Sequence, residues 1–131
     1  ALTSLARRQA ILQMAVKHDT LIVEDDPYGD LYFGDAPPPS LLALAETVPG
    51  ARDRLVHCGS LSKVLSPGLR VGWMVAPAEL LAKATMCKQF SDAHTSTFAQ
   101  ATAAQYLKAG RMPATLARVR KVYAERASAM T

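Results

Sequence analysis

From His57 to Trp73 the chain reads His-Cys-Gly-Ser-Leu-Ser-Lys-Val-Leu-Ser-Pro-Gly-Leu-Arg-Val-Gly-Trp. Ser60, Ser62, Lys63 and Arg70 are the side chains here that can do chemistry. A primary amine such as that of Lys63 condenses with an aldehyde. Hydroxyls and the backbone N–H groups of a small-residue turn donate to phosphate oxygens, and an arginine grips phosphate through two parallel bonds. An amine that can take an aldehyde thus stands beside groups that can hold an anion. Alone, Lys63 would read as a surface lysine on a turn; its neighbours change that reading.

Glu24-Asp25-Asp26-Pro27-Tyr28-Gly29 is the second candidate stretch. It ends the apolar run Leu21-Ile22-Val23, and Pro27 pushes Asp26 into an extended conformation. Adjacent side chains on a strand point to opposite faces, so only one of Asp25 and Asp26 can serve a given ligand. The plainer reading of Glu24 to Asp26 is a solvated acidic turn.

Several elements must position these residues. Thr3 or Ser4 can cap a first helix running to Lys17 or His18, with Leu2, Leu5, Ile11, Leu12 and Ala15 at helical spacing. Leu21–Val23 suits a strand buried on both faces, as in a parallel sheet. Ala36 to Pro39 is a surface loop, and Ser40 to Glu46 a short helix. Arg54 to Ser60 and Val71 to Ala76 are the second and third strands, so Lys63 and Arg70 fall in the loop between them. That loop is short, so the third strand runs antiparallel to the second. Pro77 starts a helix to Phe90, and Ser91 to Thr97 is loop and cap. A helix from Phe98 to Ala109 is closed by Gly110, and Pro113 opens a last one whose stripe is Leu116, Val119, Tyr123 and Met130. This order predicts an α/β fold, the central part of a mostly parallel sheet with flanking helices. Ligands of such sheets bind at the carboxyl ends of parallel strands, where Asp25 and Ser60 to Lys63 both fall.

The chain has 131 residues, half of them hydrophobic and a fifth charged, which excludes a disordered polypeptide. The net charge of +4 could suit an anionic partner. Arg118, Arg120, Lys121 and Arg126 share one helix with Glu125, however, and read as a solvated face rather than a nucleic-acid surface. Cys58 and Cys87 form no pattern and read as reduced, mostly buried thiols of a cytoplasmic protein. No apolar stretch is long enough to span a bilayer, so no membrane partner is expected. His18, His57 and His94 lack a second ligand at metal spacing, and no metal site is expected. Trp73, Tyr32 and Phe33 read as core and loop packing rather than a stacking platform.

The stretch Ser60-Leu61-Ser62-Lys63 with Pro67-Gly68-Leu69-Arg70-Val71-Gly72-Trp73 resembles the lysine segment of the fold-type I pyridoxal-phosphate enzymes, and most of all their class I/II aminotransferases. Asp25-Asp26-Pro27-Tyr28 matches the family's Asp-x-x-Tyr. The resemblance implies a cofactor, pyridoxal 5'-phosphate, and a role for each matching residue. Lys63 would carry the cofactor as a Schiff base and then move the substrate's α-proton. Ser60 and Arg70 would hold the phosphate; Ser62 would do so too, or would satisfy local backbone. Asp25, favoured over Asp26 by its spacing to Tyr28, would keep the pyridine nitrogen protonated. Tyr28 would donate to the ring oxygen. Ser91 to Ser96 resembles a loop that approaches a partner subunit's site, or is a helix cap.

The implied activity is transfer of an amino group from an amino acid to a 2-oxo acid in a homodimer. A lyase of the same fold shares these cofactor residues. A GntR-type transcription regulator can carry an aminotransferase-like effector domain, although Pro67 to Trp73 looks more like the enzymes. Residues 1–131 read as one part of the large cofactor-binding domain, inactive alone, cut at both ends with the last helix still running at Met130-Thr131. A structural piece without activity is the remaining reading.

Overall fold

A computed structural model describes residues 3–34 and 36–130. Leu2 and Thr131, named above, lie outside the described residues. The chain divides into two compact units: Ala1–Asp26, Pro37–Gly59 and Trp73–His94 form one, and Pro27–Ala36, Ser60–Gly72 and Thr95–Thr131 the other.

In the first unit, helix α1 (Leu5–Lys17) is capped by Ser4, whose Oγ accepts from Arg7 N at 3.4 Å. It presents Leu12 to a core of Leu44, Ala45, Ala51 and Leu55, with Ile22 and Val48 against it. Strand β1 (Ile22–Asp25) pairs in parallel with β2 (Leu55–Ser60), in a register that sets Glu24 opposite His57 and Asp25 opposite Cys58. Parallel neighbours need a long crossover, here the chain from Asp26 to Arg54.

Strand β3 (Gly72–Val75) lies on the other side of β2. Leu61 N donates to Val71 O at 3.0 Å, and a Cβ on Gly59 would meet the Trp73 ring at 2.2 Å. Partner numbers that fall as the strand rises mark an antiparallel pair, so the sheet is mixed, as the short connection requires.

Several expectations are corrected in this unit. The first strand does not stop at Val23. The β1–β2 ladder carries it on to Asp25, and Asp26 N still donates to Cys58 O at 2.9 Å. The short helix is only α2 (Leu41–Leu44), capped by Ser40 Oγ, and it tightens into a 3-10 turn over Ala45–Thr47. Pro49 disfavours helix in the residue before it, which ends the element there. Cys87 lies on α3 (Ala78–Ser91), a helix without a buried residue, and is exposed; Cys58 is half-buried. Neither thiol is in the core.

In the second unit, α4 (Thr97–Lys108) is capped by Ser96, whose Oγ accepts from Ala99 N at 3.3 Å. Gly110, at φ 66°, turns the chain into α5 (Met112–Ser128), which has Pro113 in its first turn. Leu61, Val64 and Ala103 form the core, with Leu31, Leu65, Leu69, Val71, Met112 and Leu116 around them. The Tyr106 and Thr115 hydroxyls are hydrogen-bonded to each other and tie α4 to α5.

Two expectations fail on α5. The helix ends at Ser128, where Ala129 N bonds back to the Ala127 and Glu125 carbonyls, so Met130 is off the stripe and 87% exposed. Arg120 is not part of a solvated face. It reaches the loop at 27–34, as described below. Among the described residues no helix is long and apolar enough to cross a membrane.

Candidate active site

The lysine loop belongs to the second unit. Leu61 and Val64 are buried in its core, while Lys63 between them is exposed. Leu65 N and Ser66 N both donate to Leu61 O, at 2.9 and 3.0 Å. These bonds roll the chain around Leu61 and leave Lys63 on the outside of the turn. The local backbone bond considered for the Ser62 hydroxyl is made by its neighbour instead: Ser60 Oγ accepts from Ser62 N at 3.1 Å. That bond uses a lone pair of Ser60 and leaves its proton for another acceptor.

Pro67–Leu69 form a 3-10 turn that ends in Arg70 at φ 54°, ψ 37°. The left-handed region costs a residue with a Cβ about 1–2 kcal/mol. Leu69 and Val71, on either side, both pack on the core and hold Arg70 there. Among the described residues its guanidinium reaches only the Pro67 carbonyl, at 3.4 Å, and the residue is exposed. Among those residues the rest of its fork has no bonded partner and faces outward, where an anion can reach it.

Tyr28 enters the same unit on the loop at 27–34. Its carbonyl accepts from Leu31 N at 2.8 Å, and Leu31 packs on the core. The Lys63 Nζ stands 5.7 Å from the centroid of the Tyr28 ring, within cation–π reach. Tyr28, Ser60, Ser62, Lys63 and Arg70 are therefore all carried by this unit. Arg120 joins them from α5. Its Nε donates to Asp30 O at 2.7 Å and its guanidinium lies 4.0 Å from the Tyr32 ring centroid.

Asp25 belongs to the first unit. It ends β1 with its side chain exposed, while the preceding Glu24 points to the opposite face and is largely buried. Glu24 is the residue that sequence reasoning missed. Its Oε1 accepts from Leu41 N at 2.7 Å, and its Oε2 from Leu42 N at 3.1 Å. His57 Nδ1 lies 2.8 Å from Oε2, and Arg8 Nη1 lies 3.9 Å from Oε1. Period two along β1 puts Glu24 on the face of Ile22, which packs against the core, but the partners that bury it come from β2 and α2. His57 thus has a carboxylate partner that spacing could not reveal.

Gly59 and Trp73 make a further unforeseen pair. The Trp73 ring lies over Gly59 where any side chain would collide. Among the described residues no three or more His, Cys, Asp or Glu side chains gather as metal ligands.

The sequence model of the family described as Aminotransferase class I and II matches residues 1–131. The 2-aminoadipate transaminase of Thermus thermophilus is 46% identical over 98% of this chain and 32% of its own length. The crystal structure of an alpha-aminoadipate aminotransferase from the same species, complexed with N-(5'-phosphopyridoxyl)-L-leucine, superposes with a TM-score of 0.90. It is 44% identical and is matched over 99% of this chain and 33% of its own. The HTH-type transcriptional regulator TauR of Rhodobacter capsulatus is 38% identical over 95% of this chain and 25% of its own length. The chain spans about a third of the length of the first of these relatives.

Proposed function

Since this chain belongs to the class I and II aminotransferases, we propose that the protein carrying it transfers an amino group from an amino acid to a 2-oxo acid with pyridoxal 5'-phosphate. The observation that carries the reading is the exposed Lys63 amine, poised 5.7 Å from the Tyr28 ring on a loop that also bears Ser60, Ser62 and Arg70. The donor set fits a phosphorylated aldehyde. One primary amine suits the aldehyde, and a guanidinium with few protein bonds and two hydroxyls suit the phosphate.

In this reading Lys63 holds the aldehyde carbon, and Ser60, Ser62 and Arg70 hold the phosphate. Asp25 holds a proton on the pyridine nitrogen, and Tyr28 donates its hydroxyl proton to the ring oxygen. When bound, the cofactor supplies an electron-withdrawing ring that accepts the electron pair left at the substrate α-carbon. With its amine free, Lys63 would take the substrate α-proton and hold it for return. A homodimer suits the exposed Phe90 and Phe98, and a cytoplasmic setting suits the two free cysteines. The likeness to a transcription regulator supports a second reading, in which the same loop holds the cofactor as a signal rather than for turnover.

The test is amino transfer by the protein that bears this segment. It is loaded with pyridoxal 5'-phosphate and offered a panel of amino acids, including 2-aminoadipate, with 2-oxo acid acceptors. Keto-acid-dependent turnover supports the enzyme. Cofactor retention with no turnover on any substrate favours the regulator.

A further inference from the structure

We propose that Arg120 is a positioning residue: from α5 it clamps the loop at 27–34 and so sets the Tyr28 ring beside the Lys63 amine. The inference rests on the reading of Lys63 as the amine that holds the cofactor.

Among the described residues the loop at 27–34 has few tethers of its own. The Tyr28–Leu31 turn bond and the Leu31 side chain secure its middle. Beyond them Phe33 is exposed and Gly34 sits at φ 76°. Arg120 adds two contacts at once. Its Nε donates to Asp30 O at 2.7 Å, and its guanidinium carbon lies over the Tyr32 ring, 4.0 Å from the centroid. A guanidinium can use its edge and its face together, and an ammonium cannot. The anchor is firm, because α5 is bonded to α4 through Tyr106 and Thr115 and packs Leu116 into the core.

Arg118, Lys121 and Arg126 on the same helix are exposed, and Arg120 is half-buried. It is the basic residue of α5 that turns to this loop. Asp30 and Tyr32 follow Tyr28 closely in the chain, so holding them restricts where the Tyr28 backbone can go. Loss of the clamp frees the ring to leave the Lys63 amine.

The experiment uses the protein that bears this segment and has two readouts. Hydrogen exchange is followed over the loop at 27–34, with α4 as the internal control. Arg120→Ala should speed loop exchange about tenfold, the combined weight of one cation–π contact and one hydrogen bond, and leave α4 unchanged. Arg120→Lys, which keeps the charge, should recover less than half of the lost protection. The second readout is labelling by pyridoxal 5'-phosphate and borohydride, scored as the share of label on Lys63 against the other lysines. That share should fall at least about threefold in Arg120→Ala, in step with the looser loop. Unchanged loop exchange, full recovery by Arg120→Lys, or an unchanged Lys63 share each overturns the proposal. Should Arg120→Ala also loosen α4, Tyr32→Leu decides: it removes only the ring under the guanidinium, and unaltered loop exchange in it overturns the clamp. No preference for Lys63 in the unmutated protein sinks the proposed function itself, a result distinct from any of these.

Discussion

His57 Nδ1 lies 2.8 Å from Glu24 Oε2 across the paired strands β1 and β2, and each side chain is only 10% exposed. The same carboxylate accepts the backbone N–H groups of Leu41 and Leu42. One acidic side chain thereby joins two strands and the start of α2. Glu24→Ala strips partners from a buried imidazole and two amides, and should destabilise the first unit by about 3 kcal/mol or more. Glu24→Gln keeps an acceptor oxygen and should cost less. Urea-unfolding midpoints of the two variants check the order.

The Trp73 ring lies where a Gly59 Cβ would stand, with a closest approach of 2.2 Å. Gly59→Ala should therefore push the ring off β2 and cost about 1–3 kcal/mol. Trp73 is the chain's single tryptophan, so a shift of its fluorescence maximum reports the displacement directly. Adding Trp73→Leu should relieve most of the penalty. An additive double mutant would show that the two positions do not compete for space.

Lys63→Ala should remove the preferred site of borohydride-fixed pyridoxyl label, read by peptide mass, without a loss of stability. The Lys63 side chain is exposed and its ring neighbour is Tyr28, so little packing is lost. Label that persists at the same stoichiometry on another lysine would show that the amine was misassigned.

Asp25 and Asp26 should separate cleanly. In the protein that bears this segment, Asp25→Ala is expected to lower turnover by about a thousandfold or more, as loss of the group that keeps the ring nitrogen protonated. Asp26→Ala should cost far less turnover, since what the structure shows Asp26 contributing is its backbone N–H to Cys58 O. The reverse order of rates would exchange the two roles.

Arg70 tests strain against function. It holds φ 54°, which glycine adopts freely. Arg70→Gly should leave stability within about 1 kcal/mol, because relief of strain offsets the greater freedom of glycine in the unfolded chain. Half-maximal labelling of Lys63 should nevertheless need at least about tenfold more pyridoxal 5'-phosphate, as one charge-assisted phosphate contact is lost. Unchanged labelling would free Arg70 from the phosphate role.

What is local in this protein could be read from the chain alone. Ser4 and Ser96 cap their helices and Gly110 closes one, because capping depends on side chains within a few residues of the helix end. The apolar runs announced all three strands, and a short connection sufficed to set β3 antiparallel, but β1 is not buried on both faces as its apolar run implied, since Val23 is 64% exposed. The lysine loop was legible because its residue types stand close in the chain. Whatever depends on distant partners had to wait for the fold. Glu24 read as solvated acid until β2 brought His57 and α2 brought two amides to it. Arg120 read as a surface charge until the loop at 27–34 came to lie against α5. Cys87 read as core until α3 proved to have no buried residue. Periodicity says that a residue lies on a face, but burial and pairing require the neighbour that covers that face, and where that neighbour falls in the chain is set by the fold.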